Sequence, residues 1–319
     1  MNEIFLNTFI PVFNGIVKIF IIGGIAGVLV WRKIIDEKII DGLSLITVYV
    51  FLPSLIFTTI TSSFDPGSIP FWWIIPIGMI LVGLIVMAFA ALLFIPDYKK
   101  HRDALPLTSM QNALYLVLPI GEFVFREQFD EFAVYCFLIV LGVSPLYWSV
   151  GIYFITGKGK SSRNWRNILN MPFLVNIISI LFVLTRTNRH IPSLISDSLT
   201  MLGDATVPVA TFILGATLAA VIRKLPGFWV TFRICFMKFV FMPVLVIGIL
   251  YIFRLYENQP LLCDVLVIQA AAAPATALIL QVRAFGGNMN KIGGITFISY
   301  FITLIAIPIW LTVWKIIIP

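Results

Sequence analysis

Gln111, Asn112, Gln269 and Thr276 are uncharged polar residues that flank two prolines, Pro119 and Pro274, inside otherwise apolar stretches. A proline inside an apolar helix removes a backbone donor and clashes with the preceding turn. The loosened main chain then offers free amides and half-helix amino ends with partial positive charge, a cradle suited to a carboxylate. Amide and hydroxyl side chains add hydrogen bonds there without the desolvation cost of a fixed charge. Ser54, after Pro53, brings a hydroxyl towards the same cavity, and Pro208 is placed to do likewise in the second half. A structural role competes with each assignment, since Asn112, Gln269 and Thr276 equally suit hydrogen bonds between helices.

Charged residues deep in apolar stretches are the second set with chemistry to do. Lys18, Asp204 and Lys238 each lie about ten residues inside one, where a charge is costly and faces a cavity or a partner. Arg233 is shallower and can snorkel to the surface. Three cations against one acid suit an anionic guest. Two other readings stay open: an ion pair between Asp204 and Lys238 or Lys18, and Asp204 as the carrier of a coupling proton. Glu122 and Arg126, four apart, are expected to pair on a helix surface. Cys136, Cys235 and Cys263 fall in or beside apolar spans and are expected to pack as small hydrophobes. His101 and His190 have no second ligand nearby, so no metal or cofactor is expected. The chain has neither a GxxxxGK phosphate loop nor a nucleophile elbow, and enzyme activity is not expected.

These residues need an apolar scaffold, and composition supplies one. The 319 residues are 60% hydrophobic and 12% charged, with a mean hydropathy of +1.02. A water-soluble core of this length would need far more polar surface. Windows of about 20 apolar residues, long enough to cross a bilayer core, predict ten spans: 8–31, 42–62, 71–95, 104–128, 131–155, 171–187, 194–222, 228–254, 261–284 and 290–317. The first lacks the basic start of a cleavable signal peptide. Each span carries a proline, in two sets of five. Pro11, Pro53, Pro76, Pro119 and Pro145 are echoed by Pro172, Pro208, Pro243, Pro274 and Pro308, at offsets of 161, 155, 167, 155 and 163 residues. That pattern is expected of a duplicated membrane bundle, and paired interruptions in two halves point to a transporter's binding site.

Basic residues set the expected orientation. The loops after odd-numbered spans hold 14 Lys and Arg, and the opposite side with both termini holds five. The positive-inside rule places the first set in the cytoplasm and both termini outside. The net charge of +7 is therefore a topology signal that also suits anionic lipid heads, and no nucleic-acid partner is expected. Five spans per half make the second half enter from the opposite face. The expected fold is thus an all-α membrane protein of ten transmembrane helices in two inverted five-helix repeats, residues 1–157 and 171–319, joined by a cytoplasmic basic linker at 158–170. In such folds the broken fourth helices of each half cross near the bilayer centre. Pro119 and Pro274 lie 15 and 13 residues into their spans, a rise of roughly 20 Å at about 1.5 Å per residue.

Several local sequences carry a family resemblance: Phe51-Leu-Pro-Ser-Leu-Ile-Phe57, Leu202-Gly-Asp-Ala-Thr-Val-Pro208 continuing to Leu214-Gly-Ala-Thr-Leu218, and Ala273-Pro-Ala-Thr-Ala277 before Phe285-Gly286. In order and spacing they resemble the auxin efflux carrier family of the bile acid and auxin transporter superfamily. The family's Asn seven residues before a Pro is similar to Asn112 and Pro119, whereas Val117 stands where the family usually has glycine. The resemblance implies a permease for a small organic anion, such as a carboxylate or an auxin-like acid, working by elevator-type alternating access. The long cytoplasmic loop of plant auxin exporters is missing, which implies a compact microbial-type relative in a bacterial-type plasma membrane. A sodium-coupled bile-acid-type symporter and a non-transporting ligand sensor of the same fold are the alternatives, and a homodimer stays open as the assembly.

Overall fold

Prolines decide where the helices of this chain change register. The computed structural model describes residues 3, 5–156, 169–221 and 226–318. Most of the expected basic linker, with Lys158, Lys160, Arg163 and Arg166, lies outside the described residues, as do Arg223 and Lys224.

After a π turn at Phe5–Phe9, α1 runs over Ile10–Trp31. α2 (Glu37–Ile46) and α3 (Leu52–Ser63) form one rod, joined by the π turn Thr47–Phe51. Pro53 follows that turn. With no N–H to give and a ring pressing on the preceding turn, it favours the wider i to i−5 register. The Leu52 N–H accordingly donates to the Thr47 carbonyl. The same arrangement recurs where α12 (Phe228–Phe236) meets α13 (Met242–Ile252), with the Met242 N–H on the Met237 carbonyl just before Pro243. Asp36 caps α2 by accepting from Ile39 N–H at 3.0 Å, so the second rod begins earlier than its apolar pattern predicts.

Between these rods lie α4 (Ile74–Leu93), the short α5 (Tyr98–His101), α6 (Val117–Val124), α7 (Phe129–Leu146) and α8 (Ile152–Thr156). α9 (Met171–Leu184), α10 (Ser193–Asp204) and α11 (Thr206–Val221) precede α12. α14 (Pro260–Ala271), α15 (Ala277–Phe285) and α16 (Met289–Ile317) complete the chain. Among the described residues the structure is all-helical, with no strand beyond one isolated bridge. Among the described residues, seven helical runs are long and apolar enough to cross a membrane: Phe5–Trp31, Glu37–Ser63, Ile74–Leu93, Arg126–Ile155, Ser193–Val221, Phe228–Ile252 and Met289–Ile317. Met171–Leu184 and Pro260–Ala271 are shorter apolar helices.

The helices pack in two sets. α1 lies along α11, and the α2–α3 rod lies against α9 and α10. α4 packs on α7, while α14 packs on α13 and α16. α6 sits between the sets and touches α1, α7 and α11. The α1–α11 contact rests on glycine: a Cβ on Gly23 would stand 3.3 Å from the Gly215 Cα, so the two backbones touch. In lipid, where apolar attraction between helices is weak, such close backbone approach supplies the dispersion that holds helices together. The polarity of burial follows the same division. Every residue of α7 from Phe132 to Val140 is buried, whereas Ile21, Ile25 and Val28 of α1 stand exposed as a lipid-facing stripe.

Candidate functional site

Two apolar helices break, and their breaks meet. A 3-10 turn at Arg102–Thr108 leads into a non-helical segment at 109–116 before α6 starts at Val117. In the second half the chain leaves helical geometry between Ala271 and Ala277. Gln111 and Pro274 form an antiparallel bridge. The Asn112 N–H donates to the Ala273 carbonyl at 2.8 Å, and the Ala275 N–H donates to the Met110 carbonyl at 2.8 Å. Backbone groups freed by the two breaks thus satisfy one another, as an apolar medium requires. Alanines at 272, 273 and 275 make the approach sterically open.

Pro274 lies in its break, as its sequence position suggested. Pro119 does not. It is the third residue of α6, where the missing N–H belongs to a first turn that needs no intrahelical partner. The first break lies upstream, so Gln111 and Asn112 are inside it and do not merely precede it. Asn112 is 6% exposed and works through its side chain. Its Oδ1 accepts from the Tyr115 N–H at 3.1 Å, and its Nδ2 donates to the Tyr300 hydroxyl at 2.7 Å. Thr276 Oγ1 stands 3.5 Å from the same Nδ2. Gln269 reaches across from α14 to donate to the Ala113 carbonyl at 3.0 Å. Gln111 is fully buried; its carbonyl accepts from the Tyr147 hydroxyl, but neither atom of its side-chain amide has a partner. The Gln269 Oε1 and the Ser109 hydroxyl, both buried, are also unpartnered. Gln281 extends the network by donating to the Tyr147 carbonyl at 2.9 Å.

The other expected residues lie elsewhere. Ser54 lines a groove between α3, α9 and α10 with Pro53, and its hydroxyl donates to the Val50 carbonyl at 2.8 Å. Asp204 and Glu122 line a separate cavity of about 350 Å³ with Ile22, Phe123, Pro208 and Thr211. Lys18, one turn before Ile22 on α1, holds its Nζ 4.9 Å from the Phe123 ring centroid, so it borders that cavity. Lys238 is buried on the α12–α13 π turn with its Nζ 3.3 Å from the Met242 Sδ. Among the described residues no ion pair joins Asp204 to Lys238 or Lys18. The expected Glu122–Arg126 pair is absent too, because α6 ends at Val124 and four-residue spacing no longer brings the side chains together.

Sequence reasoning passed over Tyr147, Tyr300, Gln281 and Asp264. Asp264 and Lys315 pair at 2.7 Å, and each is a charge near the end of an apolar span, a signal that matching intramembrane charges would have found. No spacing marks Tyr300, which contacts Asn112 only through the fold. At the end of the bundle where α4 closes, Asp97 binds Arg233 at 3.0 Å and His101 at 3.4 Å, and Lys291 binds Asp103 at 2.5 Å. Burial first, then the nearby Lys291, holds the His101 imidazole below its usual pKa, against the pull of Asp97.

Apolar helices of membrane-spanning length around a polar crossing of two interrupted ones are the architecture of an integral membrane protein. The comparisons agree. The family model described as "membrane transport protein" matches residues 11–164 and 159–311, and the chain belongs to this family, that of the auxin efflux carriers. It is similar to the uncharacterized transporter MJ1031 of Methanocaldococcus jannaschii, 26% identical over 284 residues, which is 87% of this chain and 90% of the relative. PIN-LIKES 4 and PIN-LIKES 1 of Arabidopsis thaliana are each 28% identical, over 127 and 123 residues. Those matches take 37% of this chain but only 31% and 26% of the plant proteins, so the chain spans about a third or less of their length.

Proposed function

We propose that this protein is a secondary transporter for a small organic anion, such as a carboxylate or an auxin-like acid, with its substrate site at the crossover. The observation that carries this reading is the buried, wholly unpartnered amide of Gln111 beside the bridge to Pro274. An unsatisfied buried amide costs about 1–3 kcal/mol, and such strain is retained where a ligand relieves it. Gln111 Nε2, Asn112 Nδ2, Ser109 Oγ and Thr276 Oγ1 are neutral donors suited to a carboxylate, at less cost than a buried cation. Gln269 and Pro274 shape the opposite wall.

The wider reading is a ten-span bundle of two inverted five-helix repeats, residues 1–157 and 171–319. Its crossover body, with α4, α6, α7 and α13 to α16, moves elevator-like against the α1, α3, α9 and α11 scaffold. Lys18 and Asp204, bordering one cavity, supply the charged approach to it. Lys238 lies apart, packed against Met242 in the α12–α13 rod. The membrane is a plasma membrane of bacterial type, with both termini extracytoplasmic. Uptake of malate, malonate and indole-acetate into proteoliposomes, paired with ligand-induced thermal shifts, tests this. Saturable uptake of one acid is the expected result. Binding without flux would replace the carrier by a sensor, and flux that requires sodium would replace it by a cation symporter.

A further inference from the structure

We propose that the groove between α3, α9 and α10 is a binding site for one anionic phospholipid, with an acyl chain in the groove and the phosphate at the turn that closes it. The groove encloses about 590 Å³. Its walls are Tyr49 and Phe57 on one side, Ile178 and Phe182 on the second, and Ile195 and Leu199 on the third. Ser54, the one serine among the lining residues, has its hydroxyl turned back to the Val50 carbonyl and leaves the interior apolar. From Pro192, which precedes α10, to Leu202 the helical wall rises about 15 Å at about 1.5 Å per residue, a length that suits a hydrocarbon chain.

The chain alone cannot make the site selective, because surrounding lipid is as apolar as the groove. Selectivity comes from the mouth. There the turn Thr187–His190 follows Arg186, whose φ of 58° reverses the chain, and Thr187 and His190 themselves line the groove. Arg186, Arg189 and His190 are exposed, and among the described residues none has an ion-pair partner. The turn is anchored, since Asn188 Nδ2 donates to the Thr61 carbonyl at 2.9 Å. Of the two acids of α10, Asp197 lies on the side of that helix opposite Ile195 and Leu199, and Asp204 ends the helix at the other cavity, far from the turn, so the mouth keeps its positive charge. Clustered cations above an apolar slot match a phosphate joined to a chain. A second copy of this protein would bring the same cations to an isologous contact.

The test uses the full chain in mild detergent, offered phosphatidylglycerol or phosphatidylcholine with identical acyl chains and weighed by native mass spectrometry. The wild type is expected to keep one phosphatidylglycerol with a preference of about tenfold. Arg186→Gln with Arg189→Gln should bring that preference to parity, and Leu199→Trp, filling the slot, should remove retention of both lipids. Excess glycerol 3-phosphate, a head without chains, should displace neither. Equal retention of the two lipids by the wild type, a preference unmoved by the arginine variants, displacement by glycerol 3-phosphate, or a protein dimer in place of the lipid would each overturn the proposal. Should Leu199→Trp fail to fold, the arginine pair on its exposed turn decides alone.

Discussion

The two breaks that meet at the crossover are built by different chemistry. The second, Ala272 to Thr276, is short and nearly without side chains; Pro274 interrupts the helix and alanines let another backbone come close. The first, residues 109–116, contains no proline. It is held open by Asn112, whose Oδ1 replaces a backbone acceptor for Tyr115 and whose Nδ2 ties the segment to Tyr300 on α16. One break is thus set at its centre by a ring, and the other, entered from a 3-10 turn that carries Pro106, is held by a side chain with one local and one distant partner. The comparison teaches that the side-chain-built break should be the more fragile of the two and the proline-built one the more permissive.

Asn112→Ala attacks the side-chain-built break and should have the largest effect. It orphans the Tyr115 N–H and the Asn-facing side of Tyr300, at about 1–3 kcal/mol for each buried group. A large fall in the thermal midpoint, with loss of uptake, is expected; a midpoint equal to the wild type would erase the asymmetry. Ala273→Leu attacks the close approach instead. Crowding a packed backbone contact costs about 1–3 kcal/mol, so the midpoint should fall by less than for Asn112→Ala, and chemical denaturation can rank the two. Pro274→Ala should be milder, about 0.4–1 kcal/mol, since most of its effect is on the unfolded chain, yet it should slow uptake. Pro119→Ala, in an ordinary first helical turn, is the control and should leave uptake unchanged. Smallest is a pH effect at the ion cluster. The depressed pKa of His101 means that its contribution is intact above the ordinary imidazole value of about 6.5, starts to fall below it, and is lost as pH drops through the lower folded-state pKa. His101→Gln should flatten that acid limb of the stability curve.

The same asymmetry explains what could be read in advance. Apolar windows located the seven helical runs long enough to cross a membrane, because lipid solvation acts on local composition. The proline scan found the second break, since proline acts within its own turn. It misplaced the first by several residues onto Pro119, because a break made by Asn112 depends on Tyr300, 188 residues away. Asn112, Gln111, Gln269 and Thr276 were legible as polar residues in apolar surroundings, and the structure brings all four to the crossing. Ser54 was not separable from them by type, and only the packing of α3 on α9 and α10 assigns it to the other groove. The Asp204 ion pair, one of the readings the sequence left open, is absent among the described residues for a related reason: opposite charges at similar depth imply no shared face. Tyr147 and Gln281, each bonded through a partner's main chain, left no trace in spacing at all.

The central claim is that Gln111 keeps a buried amide unsatisfied for the sake of a ligand, and Gln111→Met tests it most directly. Methionine fills similar volume without a polar group. The variant should melt at a higher temperature than the wild type while its organic-anion uptake into proteoliposomes is lost. Uptake at the wild-type rate, whatever the melting temperature, would contradict the assignment of the crossover as the substrate site.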